Sequence, residues 1–163
     1  MSYVPTAVVP DKLIVLGELL YLMACSRVHQ RYRIEEIGRL ILPAINRMNF
    51  RVYRTKAGPV GLVTWARLDD EASAAFAAGG TLRVEEFDRG NNLWVLDFIA
   101  PFGHAAKILA DLRDNVFRDA TRVRAVRRDE TGTVLRVVDL RRSVGNDSAH
   151  RSAHATLRDT PHL

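Results

Sequence analysis

Trp94-Val95-Leu96-Asp97-Phe98-Ile99-Ala100-Pro101-Phe102-Gly103 is the stretch on which the reading of this chain turns. Its first six residues carry the aromatic and branched side chains of a buried strand, and Pro101 and Gly103 close it with turn residues. A carboxylate sits in the middle of that apolar run. Burying an unpaired carboxylate costs several kcal/mol or forces it to stay protonated, so Asp97 requires a cationic or N–H partner from elsewhere in the chain.

Outward from this strand, Arg89-Gly90-Asn91-Asn92 is a turn leading in, and Ala105, Ile108, Leu109, Leu112 and Val116 recur at helical spacing beyond it. Residues 121–128 and 134–142 flank Asp129-Glu130-Thr131-Gly132 as a hairpin with arginines on its wet face. Earlier in the chain, residues 50–54 and 60–66 flank Lys56-Ala57-Gly58-Pro59 as another hairpin. Asp69 to Ala78 is an Ala-rich helix stopped by Gly79-Gly80, and Thr81 to Phe87 suits a further strand. Asp11 is an N-cap for a first helix over 12–25, with Leu13, Leu16, Leu20 and Met23 as its stripe and Leu19 and Leu22 widening it. A second helix over 33–42 is expected to end at Pro43. The order α, α, β, β, α, β, β, α, β, β predicts a single α+β domain over 1–142 around a mainly antiparallel central sheet flanked by helices. Residues 1–10 form a loose lead-in, and 143–163, nearly devoid of apolar residues, a disordered C-terminal tail.

Composition bounds the function. The chain has 163 residues, 47% apolar, with formal net charge +5. All but three of its 24 basic side chains are arginines, and the excess falls mainly after residue 100, which suits an acidic partner. The single cysteine, Cys25, excludes an internal disulfide and fits a reducing compartment; on the buried first helix its thiol is expected to be inert. The run before it superficially resembles a lipoprotein signal, but Glu18 interrupts the apolar region and the run is too short to span a membrane, so it is expected to be a buried helix.

Of five histidines, His150, His154 and His162 fall in the expected tail, His104 opens the helix after Gly103, and His29 lies in a polar break between two apolar helices. An imidazole oriented on one nitrogen by an acceptor is a good base through the other, so a His29–Asp97 pair would satisfy both residues. Arginine is the competing partner for Asp97. No metal-ligand cluster, nucleophile elbow or Walker loop is present, and the Gly-rich pyrophosphate loop of coenzyme-A-dependent N-acetyltransferases is absent.

These segments resemble the lysine acyltransferases that activate RTX protoxins in Gram-negative bacteria. Ser26-Arg27-Val28-His29-Gln30-Arg31-Tyr32 is similar to that family's Ser-Pro-x-His-Arg-x-Trp, Leu42-Pro43-Ala44-Ile45 matches its Leu-Pro-Ala-Ile, and Pro59-Val60-Gly61-Leu62-Val63-Thr64-Trp65-Ala66 resembles its Pro-Val-Ala-Tyr-Cys-Ser-Trp-Ala. The Trp94–Gly103 stretch is nearly its Trp-x-Ile-Asp-Trp-Ile-Ala-Pro-Phe-Gly. Together the similarity spans about residues 14–140. Departures include Arg27 for Pro, Gln30 for Arg, and Tyr32 and Phe98 for two Trp.

The resemblance implies a fold similar to the N-acetyltransferase superfamily, a cytoplasmic homodimer, and transfer of a fatty acyl group from acyl-acyl-carrier protein to internal lysines of an RTX protoxin. Beyond the acyl carrier protein as donor, no cofactor or metal is expected. It places the catalytic pair on His29 and Asp97 and substrate-binding roles on Ser26, Trp65 and Trp94. The competing assignments are a coenzyme-A-dependent small-amine N-acetyltransferase, disfavoured by the missing pyrophosphate loop, and a basic nucleic-acid-binding module, disfavoured because aromatics are not interleaved with the late arginines.

Overall fold

The computed structural model describes residues 11–129 and 133–142. The expectations for 1–10, for the Glu130–Gly132 turn and for 143–163, with the three late histidines, fall outside them.

Helix α1 (Asp11–Ala24) buries Val15, Leu19, Leu22 and Met23, whereas Leu13 and Leu20 are 55% and 49% exposed. Of the expected stripe, Leu19, Leu22 and Met23 are buried and Leu16 packs against the core, whereas Leu13 and Leu20 fall outside it, because α1 is apolar on more than one face and the sheet chooses which is covered. Cys25 lies just past the helix and is exposed, not buried. Helix α2 occupies 34–46 and passes through Pro43: an opening turn Ile34–Glu36, a wide π-helical turn Ile37–Ile41, and Leu42–Asn46 with Pro43 in its first turn. Proline has no N–H to contribute, and a position at the start of a new helical segment is where that loss costs least.

Strands β1 (Phe50–Thr55) and β2 (Gly58–Leu68) form the first expected hairpin. Helix α3 (Asp70–Ala77) follows, its first turn capped by Asp69, which accepts from the Ala72 N–H at 2.9 Å, and its end marked by Gly79 at φ 92, a conformation that favours glycine. The segment expected to be a strand at 81–87 is a loop with a 3₁₀ turn, Val84–Glu86; the Glu86 carboxylate accepts from the Arg83 N–H at 2.7 Å, a local capping bond that competes with strand pairing. Strand β3 (Asn92–Ile99), helix α4 (Ala105–Asp111, continued by the π-helical turn Leu112–Val116), and strands β4 (Arg122–Arg128) and β5 (Val134–Arg142) complete the chain. The five strands lie in sequence order. All neighbours are antiparallel except β3 and β4, which are joined through α4 and paired in parallel at Trp94/Arg124 and Val95/Ala125.

Helices cover both faces of this sheet. On one side α1 and α2 pack Leu19, Leu22, Ile41 and Ile45 against Leu62 and Ile99, and α3 packs Phe76 against Leu68 and Trp94. On the other, Ile108, Leu112 and Phe117 cover Val63, Leu93, Val95 and Val123. Among the described residues no helix is long and apolar enough to cross a membrane.

Gly90 brings the turn before β3 against the backbone of Leu68 and Asp69, where an added Cβ would overlap main-chain atoms. Gly90→Ala is therefore expected to lower the unfolding free energy by about 1–3 kcal/mol, because backbone cannot step aside as a side chain can. A urea midpoint equal to that of the wild type would contradict this packing.

Candidate active site

The site is made by an irregularity in β3. Thr64 lies opposite Asp97 and Trp65 opposite Val95, so Leu96 has no residue across from it. This β-bulge resets the alternation of side chains. Trp94 and Leu96 face α2 and α3, Val95 and Phe98 face α4, and Asp97 joins Ile99 on the α1/α2 side. An unbroken strand would have aimed Asp97 at the apolar layer under α4.

The residues that meet Asp97 come from the break after α1. The Ser26 N–H caps back to the Met23 carbonyl at 3.0 Å, the chain makes the 3₁₀ turn His29–Arg31, and Tyr32 leaves it in extended conformation with its N–H on the His29 carbonyl at 3.0 Å. His29 Nε2 lies 3.7 Å from Asp97 Oδ1, with the two side chains 11% and 1% exposed. That distance is an ion-pair contact and longer than a hydrogen bond. The hydrogen bond to Asp97 Oδ1 comes from the Tyr32 hydroxyl at 3.1 Å. On the other side of the imidazole, Ser26 Oγ is 2.7 Å from Nδ1. The ring is thus oriented through Nδ1 by Ser26, and Asp97 supplies negative charge toward Nε2. The expected His29–Asp97 pair is therefore present as a 3.7 Å ion-pair contact, while the hydrogen bond to the ring is with Ser26. Among the described residues, Asp97 Oδ2 and the buried hydroxyl of Thr64, its neighbour across the strands, have no hydrogen-bond partner.

Burial dominates the electrostatics. Desolvation holds His29 below its ordinary pKa of 6.5, opposed by the charge of Asp97, so the imidazole is neutral at pH 7. Desolvation raises Asp97 above 3.8, opposed by His29, by the Tyr32 hydrogen bond and by Arg128. Beside Tyr32 opens a cleft of about 100 Å³. Buried Phe76 and Leu82 line it together with half-buried Leu40, Glu36 and Arg128, and exposed Arg39 and Gly79-Gly80 lie at its rim.

The structure therefore brings together His29, Asp97 and Ser26, and adds Tyr32, which the sequence presented only as a departure from a motif. It does not bring in the two tryptophans. Trp94 is fully buried, donates to Ser73 Oγ at 2.9 Å, meets Phe76 edge-on and lies under Arg124, whose guanidinium is 4.4 Å from the ring centroid. Trp65 packs edge-on against Phe117 on the opposite face of the sheet. Arg124 also departs from the expected wet face, because it donates to Ser73 Oγ and Asn92 Oδ1, each at 2.8 Å. His104 precedes α4, half-buried. Among the described residues no three His, Cys, Asp or Glu side chains gather as a metal site would require.

Comparison with known proteins agrees with the sequence motifs. The profile of the RTX toxin acyltransferase family matches residues 9–141. An uncharacterized protein of Synechocystis sp. is 38% identical over 135 residues, covering 80% of this chain and 91% of that protein. The RTX-II toxin-activating lysine-acyltransferase ApxIIC of Actinobacillus pleuropneumoniae is 26% identical, covering 74% of this chain and 78% of the relative. A protein-lysine myristoyltransferase of Kingella kingae is 29% identical, covering 66% and 68%.

The two buried groups respond to pH in opposite senses. Asp97, with its folded pKa raised, contributes stability below 3.8 that is lost as pH rises through the folded value. His29, with its folded pKa depressed, contributes stability above 6.5 that is lost as pH falls through the folded value. Replacing Asp97 by Asn removes the first effect. The melting temperature of Asp97→Asn relative to wild type is expected to rise as pH is raised from 4 toward neutrality; a difference independent of pH would show that Asp97 is not desolvated as described.

Proposed function

Because this chain belongs to the RTX toxin acyltransferase family, we propose that it is a protein-lysine acyltransferase that moves a fatty acyl group from acyl-acyl-carrier protein to the ε-amino groups of internal lysines on an RTX protoxin. The observation that carries the reading is the neutral His29 imidazole held between Ser26 Oγ and the buried Asp97 carboxylate.

A lysine ammonium, with an ordinary pKa of about 10.4, must lose a proton before its nitrogen can attack a thioester. In the tautomer that donates Nδ1–H to Ser26 Oγ, the Nε2 lone pair is the base. Taking up the proton makes the ring an imidazolium 3.7 Å from Asp97 Oδ1, close enough for charge attraction without a hydrogen bond that would hold back the proton. Asp97 thus stabilises the imidazolium that the reaction forms. The amine nitrogen bonds to the thioester carbon, the C–S bond breaks, the thiolate leaves with a proton from His29, and one proton is released overall to solvent. The apolar floor of the cleft beside Tyr32, made by Phe76 and Leu82, suits part of an acyl chain.

The donor's carrier protein is expected to be acidic. The late arginines divide once the structure is known: Arg124 is turned inward, Arg122 pairs with Asp139 at 3.0 Å, and Arg128 lines the cleft. Arg127 and Arg136 remain as exposed, directly opposed partners on β4 and β5. Like charges facing each other across strands are unfavourable until an anionic surface meets them. For the implied cytoplasmic homodimer, exposed Leu20 and Tyr21 on α1, with Phe102 6.1 Å from Tyr21, offer an apolar contact face.

With purified acyl-carrier-protein donor and a protoxin acceptor, His29→Ala is expected to lower the acylation rate by about 10²- to 10⁴-fold, the usual contribution of a positioned base. A wild-type rate would overturn the assignment. Replacing Arg127 and Arg136 together by Glu is expected to weaken carrier-protein binding about tenfold or more in a titration at low salt, and to flatten its salt dependence. Binding unchanged in both respects would move the docking face elsewhere.

A further inference from the structure

Tyr32 stands at the end of the turn that carries His29, where the resembling family has Trp. Three contacts distinguish it. Its hydroxyl donates to Asp97 Oδ1, the same oxygen that faces His29 Nε2. Its ring lies against the imidazole, with centroids 5.1 Å apart and planes tilted by 50°. It also lines the cleft that contains Phe76 and Leu82. One short segment therefore supplies both the base and the group that holds the base's carboxylate.

We propose that Tyr32 is a positioning residue for acyl transfer, its hydroxyl anchoring the buried Asp97 carboxylate opposite His29 Nε2. The proposal rests on His29 acting as the base. The groups that bear on Asp97 come from several elements: His29 and Tyr32 from the turn after α1, Glu36 from α2 and Arg128 from β4. Burial and Glu36 favour the protonated acid; His29, Arg128 and the Tyr32 hydrogen bond favour the carboxylate. Tyr32 is also the group that fixes the orientation of Oδ1, because a hydrogen bond is directional where a distant charge is not. Without the hydroxyl, burial, already the largest influence, is opposed by less, Asp97 holds a proton to still higher pH, and the imidazolium formed at His29 loses more of its counter-charge. Tryptophan, the family residue at this position, carries an indole N–H and also donates. Phenylalanine keeps the ring and donates nothing. The pair of substitutions therefore separates the hydrogen bond from the aromatic wall.

The test is an NMR titration of the His29 imidazole in the full chain, for wild type, Tyr32→Phe and Tyr32→Trp, alongside steady-state acylation. Tyr32→Phe is expected to titrate at lower pH than wild type. Its kcat should fall about 10- to 100-fold, the loss of one hydrogen bond to a charged group, with KM for the acyl donor little changed. Tyr32→Trp is expected to titrate close to wild type and to keep more of kcat than Tyr32→Phe. Equal impairment of both variants with an unmoved titration, or a wild-type kcat in Tyr32→Phe, would overturn the proposal and leave Tyr32 a packing residue. Should Tyr32→Phe fail to fold, 3-fluorotyrosine at position 32 replaces it: its more acidic hydroxyl is expected to shift the His29 titration, and no shift would overturn the proposal. The titration needs no substrate. A His29 shift in a protein that acylates nothing would therefore sink the acyltransferase reading on its own, whereas an active protein with an unmoved titration would sink only the role of Tyr32.

Discussion

One carboxylate buried in the middle of a sheet governs how the rest of this molecule is put together. Asp97 is sealed from solvent on β3, and a charge in that position is tolerable only if polar partners are brought to it. The two partners that touch it come from outside the sheet. The Tyr32 hydroxyl and the His29 imidazole arrive on the turn after α1, and Arg128 extends its field from β4. The packing of Leu19 and Leu22 on α1 and Ile41 and Ile45 on α2 against the sheet thus does more than bury apolar surface, because it fixes the turn between the two helices over Asp97.

The bulge at Leu96 is the second half of that arrangement. One extra residue in β3 turns Asp97 from the α4 side to the α1/α2 side while leaving Val95 and Phe98 in the opposite layer. The side-chain period of a strand is two, so a single insertion is the smallest change able to move a carboxylate from one layer to the other. The polar groups then divide the work around the imidazole. Ser26 takes Nδ1, Asp97 faces Nε2, and burial keeps the ring neutral and ready to accept a proton. The tryptophans of the same motifs serve the frame instead. Trp94 is held by Ser73 and Arg124 in the layer under α3, and Trp65 by Phe117 under α4.

Much of this was legible in the residues. Alternation and turn chemistry located both hairpins and the Trp94 strand, and an Ala-rich run stopped by Gly79-Gly80 located α3. A carboxylate in an apolar strand announced that a partner was needed, and motif resemblance pointed to His29. Each of these rests on local physics, such as a side-chain period, a glycine stop or the desolvation of a charge, and so survives without knowledge of the fold. The local signals failed where two local solutions compete. The 81–87 segment has strand-like residues but satisfies its backbone through a Glu86 cap, and α2 continues through Pro43 because a wide turn precedes it.

What the sequence by itself determined, then, is the class of the domain, the order of most of its elements, and the requirement that Asp97 be partnered. Only the tertiary structure decided which face of α1 is covered, that Arg124 points inward, that Ser26 rather than Asp97 orients His29, and that Tyr32 is what Asp97 bonds. Apart from the local Ser26–His29 bond, these are contacts between residues far apart in the chain, such as Tyr32 and Asp97, 65 positions from each other. Their geometry is set by a one-residue bulge and by the docking of two helices, and neither leaves a period in the sequence from which it can be read.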